Sequence, residues 1–261
     1  MHCPRGRTTR QLEELATHAD STGAWWGILL VRGDYFDDRG RVHMNDQARV
    51  EAAWQRIEEW LSKHAPLSHS LLREPATPEQ IEQAEHAIGV VFPPELRALY
   101  LIHDGVQGAD LDEFGEQPFA PGGEDDPWHR RANAVDFMPN GQAWLPLEHV
   151  ITAHGGILTA LSGQGTVPYV PVTASAKYTM MEGTYLDPAT GALGTWGDAQ
   201  ELQSLRGGLA DWLEDGAAAL AEGRPTGMFG MCPYVSPTGD GLTWFDPDPT
   251  YAQDGWRPVP H

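Results

Sequence analysis

The chain has 261 residues, of which 41% are hydrophobic, so it can bury the core of one large domain or of one domain with extensions. No stretch approaches the roughly 20 apolar residues that cross a bilayer, and no signal peptide is recognisable. The formal net charge is −20, and a negative field of this size repels nucleic acid and anionic membranes and attracts basic partners. We therefore expect a cytoplasmic protein that binds neither nucleic acid nor membrane.

The two cysteines, Cys3 and Cys232, lie near opposite ends of the chain. This spacing does not indicate a disulfide framework, and neither cysteine has a nearby Cys or His at zinc-ligand spacing. The sequence therefore predicts two unpaired thiols, no metal site and no cofactor.

Residues 1–43 lack the clear helical or strand pattern that begins afterwards. The first 44 residues hold six basic and six acidic side chains, so the excess negative charge arises entirely from residues 45–261. We expect residues 1–43 to be an N-terminal extension, weakly ordered or upstream sequence translated by misannotation, with the domain starting at Met44. The alternative is that the apolar run from Trp25 to Val31 forms a true strand.

Helical periodicity with start and stop signals then predicts three helices, over residues 46–63, 78–88 and 94–103. The second opens with a capping box at Thr77 to Gln80 and ends at Gly89. Residues on the inner faces of these helices should be buried, namely Trp54, Ile57, Ile81, Ile88, Leu96 and Tyr100. Trp212, later in the chain, should be buried as well.

Residues from Val167 onward have strand composition, and turn chemistry at 187–191 predicts a hairpin. Apolar spacing then predicts a last helix over 203–222, although Gly207 and Gly208 lower the helix propensity of this stretch. We expect residues 226–261, rich in Pro, Gly and aromatic residues, to be a tail that packs back on the domain. The fold class is α+β, with helices covering a mainly antiparallel sheet.

The segment TPEQIEQAEHAIGVVFPPELRALYLIHDG, residues 77–105, carries a recognisable motif. Its elements are an acidic residue late in a helix, a glycine stop, a hydrophobic residue before proline, an acidic residue with leucine, a tyrosine and a closing Asp-Gly. In this chain they are Glu85, Gly89, Phe92, Pro93, Glu95, Leu96, Tyr100, Asp104 and Gly105. This pattern resembles the SUKH superfamily, which includes bacterial toxin-immunity proteins and a fungal cell-wall assembly regulator. Weaker matches extend the resemblance over about residues 50–223, so a SUKH-like domain is expected at 44–225.

The resemblance implies a non-catalytic protein-binding domain. The first hypothesis is an immunity protein that neutralises a toxin of a polymorphic toxin system, such as a basic nuclease domain. The alternative is an intracellular regulatory or scaffold protein that binds an endogenous partner. The residues agree with the absence of catalysis, because the motif consists of packing and turn residues. His103 and Asp104 form the strongest candidate acid/base pair, but the sequence places no nucleophile beside them.

The surface most suited to a basic partner is the acidic segment, residues 104–126, in which no Lys or Arg occurs. Aromatic residues among the carboxylates fit a binding surface, where charge steers the partner and an aromatic ring fills a pocket. The alternative is a solvated loop whose aromatics only hold it to the core. The predicted partner-binding residues are Asp110, Asp112, Glu113, Glu116, Phe119, Glu124, Asp125 and Asp126.

Overall fold

A computed structural model describes residues 35–36, 42–43, 45–108, 131, 133–158, 167–175, 182–197, 202–247 and 255–260. Before the first helix, two short strands, β1 (Tyr35–Phe36) and β2 (Val42–His43), form an antiparallel pair. The proposed strand at Trp25 to Val31 lies outside the described residues.

The helical layer begins at Asn45, whose side chain accepts a hydrogen bond from the amide of Ala48 and so caps α1 (Asp46–His64). The predicted helix over 46–63 is therefore found. Pro66 stops this helix and also starts the next one, α2 (Pro66–Ser70), since proline suits the first position of a helix.

The next two helices match the prediction closely. They are α3 (Pro78–Ile88) and α4 (Pro94–Ile102). Thr77 and Gln80 form the capping box at the start of α3, and Gly89 ends it at a φ of 73°. Pro93 and Pro94 then restart the helix, so α3 and α4 are separated by only five residues.

A five-stranded antiparallel sheet lies under these helices, with the strands in the order β3-β4-β5-β6-β7. The strands are β3 (Ala143–Trp144), β4 (Val170–Ala174), β5 (Gly183–Leu186), β6 (Ala192–Trp196) and β7 (Gln203–Gly208). Between β3 and β4 lie α5 (Leu147–Ala153) and a π-helical turn (His154–Leu158). The predicted hairpin is β5 and β6, joined by the turn at 187–191.

The expectation of a helix over 203–222 is wrong in its first third. Residues 203–208 form β7, and the last long helix is α6 (Leu209–Glu222). The reason is local, because Gly207 has a φ of 113°, which no helix contains, and Gly208 is extended. Leu205 and Leu209 have helical spacing but belong to different elements.

The C-terminal residues add a second antiparallel sheet in the order β10-β8-β9. Its strands are β8 (Cys232–Val235), β9 (Leu242–Phe245) and β10 (Arg257–Pro258). Trp244 on β9 is 2% exposed and donates its indole N–H to the carbonyl of Phe137. The amide of Leu242 donates to Ser68 Oγ, so this sheet contacts the helical layer as well.

The core lies between the helices and the five-stranded sheet. All seven residues expected to be buried are 4% exposed or less, which confirms the predicted inner faces. Helix α1 lies along α6, and the Arg49 guanidinium joins them by hydrogen bonds to Asp211 and Glu214. The predicted α+β class with an antiparallel sheet is confirmed. None of the helices in the described part of the chain has the length and apolar character needed to cross a bilayer.

Replacing Gly183 by alanine should lower the free energy of unfolding by about 1–3 kcal/mol, the usual cost of overpacking. The ring of Trp196 covers Gly183, and an added Cβ would lie 2.1 Å from it. Gly156→Ala is the matched control, because no atom lies within 4 Å of its Cβ position. Urea denaturation of both variants measures the difference. Equal stabilities would show that Trp196 and the Thr173 carbonyl, 2.4 Å from the same position, both yield at no cost.

Candidate functional site at the stem of the acidic segment

The structure describes only the first five residues of the acidic segment, 104–108, and picks up the chain again at Arg131. All eight predicted partner-binding residues, from Asp110 to Asp126, therefore lie outside the described residues. The two flanks are adjacent, since a Cβ on Gly108 would lie 2.9 Å from Nε of Arg131. The Arg131 side chain thus lies against the outgoing flank at Gly108.

The outgoing flank is held by backbone hydrogen bonds on both sides. On one side the amides of Gln107 and Asp104 donate to the carbonyls of Leu71 and Glu74 at 2.7 and 3.1 Å. On the other side the Val106 amide donates to the carbonyl of Trp144 in β3 at 3.1 Å. A backbone hydrogen bond therefore joins the flank to the β3 edge of the five-stranded sheet, and Val106 forms an isolated antiparallel bridge with Leu72. We call residues 71–74, 103–108, 131 and 144–148 the stem.

The motif residue Glu85 fixes the connection between α3 and α4. Its carboxylate accepts a hydrogen bond from the amide of Phe92 at 2.8 Å and two from the Arg97 guanidinium at 2.7 and 2.8 Å. Glu85 is 9% exposed. A carboxylate this buried must be paired, and here all its partners are internal. Its role is to hold the turn that orients α4.

Tyr100 and Gly105 fasten α4 and the stem to the segment that follows β3. The buried Tyr100 hydroxyl donates to the carbonyl of Leu145 at 2.9 Å, and burial raises the pKa of this phenol. Gly105 has a φ of 68°, and a Cβ there would lie 2.5 Å from the backbone nitrogen of Pro146. Only glycine allows both this conformation and this approach.

Asp104 ties the stem to the start of α5. Its carboxylate accepts a hydrogen bond from the Leu147 amide at 2.9 Å and lies 3.2 Å from the Arg73 guanidinium. Arg73 also pairs with Glu148 at 2.7 Å. Burial raises the pKa of Asp104, whereas the hydrogen bond from Arg73 lowers the pKa of Glu148. The Arg73 guanidinium thus pairs with a buried carboxylate, Asp104, and with an exposed one, Glu148.

The candidate acid/base pair is engaged in structural contacts. His103 Nδ1 lies 2.6 Å from the carbonyl oxygen of Arg73, and Nε2 lies 3.3 Å from a carboxylate oxygen of Glu58. Asp104 caps α5 instead of orienting the imidazole. In the described ranges no group of three or more His, Cys, Asp and Glu side chains is arranged to hold a metal ion.

The fold and stem define an α+β protein whose motif residues serve packing, helix ends and turns. Residues 75–182 match the model of the SMI1/KNR4 family (SUKH-1). This match confirms the predicted resemblance to the SUKH superfamily, and it covers α3, α4, the acidic segment and the chain through β4.

Curated relatives are similar over part of the same region. A KNR4/SMI1 homolog of Kluyveromyces lactis is 38% identical over 79 residues, which are 30% of this chain and 15% of that protein. The cell wall assembly regulator SMI1 of Saccharomyces cerevisiae is 40% identical over 62 residues, 24% of this chain and 12% of that protein. The human F-box only protein 3 is 30% identical over 80 residues, 31% of this chain and 16% of that protein. The matches therefore span less than one fifth of each relative.

The ion pairs of Arg73 and Arg97 were not predicted. Arg73 lies 31 and 75 residues from its two acidic partners, so no local pattern relates them. Arg97 is 12 residues from Glu85, across a helix stop and two prolines. The available signal was the position of Glu85, four residues after Ile81 and three before Ile88 on the inner face of α3, where a carboxylate requires a cation.

Removing the charge of Asp104 and removing that of Glu148, the two carboxylates beside Arg73, should change the pH dependence of stability in opposite directions. The raised pKa of Asp104 means that its ionised form is disfavoured by folding, so Asp104→Asn should gain stability relative to wild type as pH rises from about 3 to 7. The lowered pKa of Glu148 means that its ionised form stabilises the fold at pH values above the ordinary pKa of a glutamate. Glu148→Gln should therefore lose stability relative to wild type over the same rise in pH, by about 1 kcal/mol or less because the pair with Arg73 is largely exposed.

Thermal unfolding of both variants and wild type across that pH range measures the two slopes. A fall in the relative stability of Asp104→Asn with rising pH would mean that Arg73 and the Leu147 amide outweigh the cost of burial.

Proposed function

We propose that this protein is a non-catalytic protein-binding domain in which the stem presents the acidic segment to a basic partner. The observation that carries the proposal is the pairing of the stem on both sides, with Gly108 and Arg131 adjacent. Binding residues favour segments carried by rigid scaffolds, and here backbone hydrogen bonds hold the outgoing flank while the Arg131 side chain lies against it. The partner-binding residues remain Asp110, Asp112, Glu113, Glu116, Phe119, Glu124, Asp125 and Asp126.

The chemistry of the motif supports a binding role over catalysis. Glu85, Tyr100 and Asp104 each have internal hydrogen-bond partners, and each of those contacts supports a turn or a helix end. A catalytic group needs a reacting atom within reach, and the contacts of these side chains are with the protein itself.

Two roles follow from the relatives and the charge. The first is an immunity protein that binds and blocks a basic toxin domain in the cytoplasm, which the acidic composition supports. The second is a regulator or scaffold for an endogenous partner, which the name of the yeast relative, a cell wall assembly regulator, supports. A gene for a large secreted toxin beside the gene for this protein would favour the first role, and its absence would favour the second.

Neutralising Asp112, Glu113, Asp125 and Asp126 together should slow association with the partner by about tenfold at low salt and flatten the salt dependence of the rate. The partner is first captured on the immobilised chain and identified by mass spectrometry. The matched control removes four exposed carboxylates outside the stem, Glu51, Glu59, Glu79 and Glu82, with the same change in net charge.

Replacing Phe119 by alanine should mainly speed dissociation, because an anchor in a pocket acts after encounter. Surface plasmon resonance across a salt series gives both rates. If the fourfold variant and its control associate equally fast while both remain folded, the acidic segment is not the binding surface.

A further inference from the structure

His103, the residue that ends α4, lies between two groups that only accept hydrogen bonds. Its Nδ1 is 2.6 Å from the carbonyl oxygen of Arg73 in the stem, and its Nε2 is 3.3 Å from a carboxylate oxygen of Glu58 on α1. The Nε2 atom is shielded from solvent, so water cannot act as a donor to it. The indole of the buried Trp54 packs edge-to-face against the imidazole, with ring centroids 6.2 Å apart, and limits its movement.

Neither neutral form of this imidazole suits both contacts, because a neutral imidazole carries one N–H and one lone pair. With the proton on Nδ1, the lone pair of Nε2 faces the Glu58 carboxylate. With the proton on Nε2, the lone pair of Nδ1 faces the Arg73 carbonyl. Only the doubly protonated ring presents an N–H to both acceptors, and its positive charge also matches the charge of Glu58.

The other ionisable groups at this place do not remove the requirement. His69 on α2 lies 3.8 Å from the same oxygen of Glu58, but its side chain is 38% exposed, so water can satisfy its ring in either form. The guanidinium of Arg73 is engaged on the far side of the stem. The charged and titratable groups around that guanidinium are Asp104, Glu148 and His149.

We propose that His103 is a proton-dependent switch of the stem. When charged, the ring joins α1 to the backbone of Arg73, and when it loses its proton this connection is released and the stem loosens. The proton favours the ordered stem, so the contact is present at low pH and is lost as pH rises through the range of about 5 to 8 in which histidine ordinarily changes charge. The consequence for binding rests on the proposed function, because the acidic segment extends from this stem.

The test follows the stem in the free, full-length chain by amide hydrogen exchange from about pH 5.5 to about 8.5, corrected for the intrinsic pH dependence of exchange. The amides of Asp104, Val106 and Gln107 report on it, since each donates one of its backbone hydrogen bonds. Their protection should fall about tenfold as pH rises, because a shielded lone pair then faces an acceptor. Nitrogen chemical shifts of the His103 ring, measured in the same samples, show when it loses its proton.

Glu58→Gln should remove most of this pH dependence. The glutamine amide nitrogen can donate to Nε2 of the neutral ring, so the protection of the three amides should change by less than about twofold over the range. His69→Gln should leave the wild-type fall in place, because His69 contacts Glu58 and not the Arg73 carbonyl. Glu51→Gln, which removes an exposed carboxylate elsewhere on α1, is the matched control and should behave as wild type does.

Three results would each overturn the inference: constant protection in wild type, an equal fall in Glu58→Gln, or loss of the fall in His69→Gln. These results concern the free chain, so they leave the proposed function standing. The association rates of the fourfold acidic variant and its control decide that function separately. If the wild-type stem loosens as described while those two rates are equal, the switch stands and the acidic segment is excluded as the binding surface.

Discussion

A single backbone hydrogen bond, from the Val106 amide to the Trp144 carbonyl, joins the connection after α4 to the edge of the five-stranded sheet. It determines where Asp104 and Gly105 lie, and these residues in turn hold the start of α5 and the Leu145–Pro146 backbone. Because Val106 is buried, an unmade bond here would leave two buried polar groups without partners, which is more costly than the bond itself is favourable. The helices, the sheet and the acidic segment therefore share one junction.

The residues around this junction show how the motif side chains act together. Glu85 orients α4, α4 places Tyr100, and Tyr100 bonds the carbonyl of Leu145 next to the Val106 contact. Each contact fixes the geometry that the next one needs, so removing any one of them would loosen the others. Such a chain of contacts holds the connection after α4 in one position relative to the sheet.

Local chemistry was enough to predict the helices, because their start and stop signals act within one turn. The capping box at Thr77 and the glycine at 89 defined α3 to the residue. At Leu205 the same reasoning failed. Apolar spacing there predicted a helix, but Gly207 and Gly208 interrupt helical geometry and the segment pairs with β6 as a strand. The stem could not be predicted either, because Leu72, Val106 and Trp144 are distant in sequence and only the folded sheet brings them together.

Several contacts that close the structure join residues from opposite ends of the chain. Arg49 meets Glu214 across 165 positions, and Ser68 meets the Leu242 amide across 174. Loops of this length are slow to close, so a chain emerging from the ribosome cannot complete its core until α6 and β9 have been made. The segment that matches the family, residues 75–182, would until then expose the apolar face that α6 later covers. Until α6 and β9 have emerged, the nascent chain therefore exposes apolar surface of the kind that promotes aggregation.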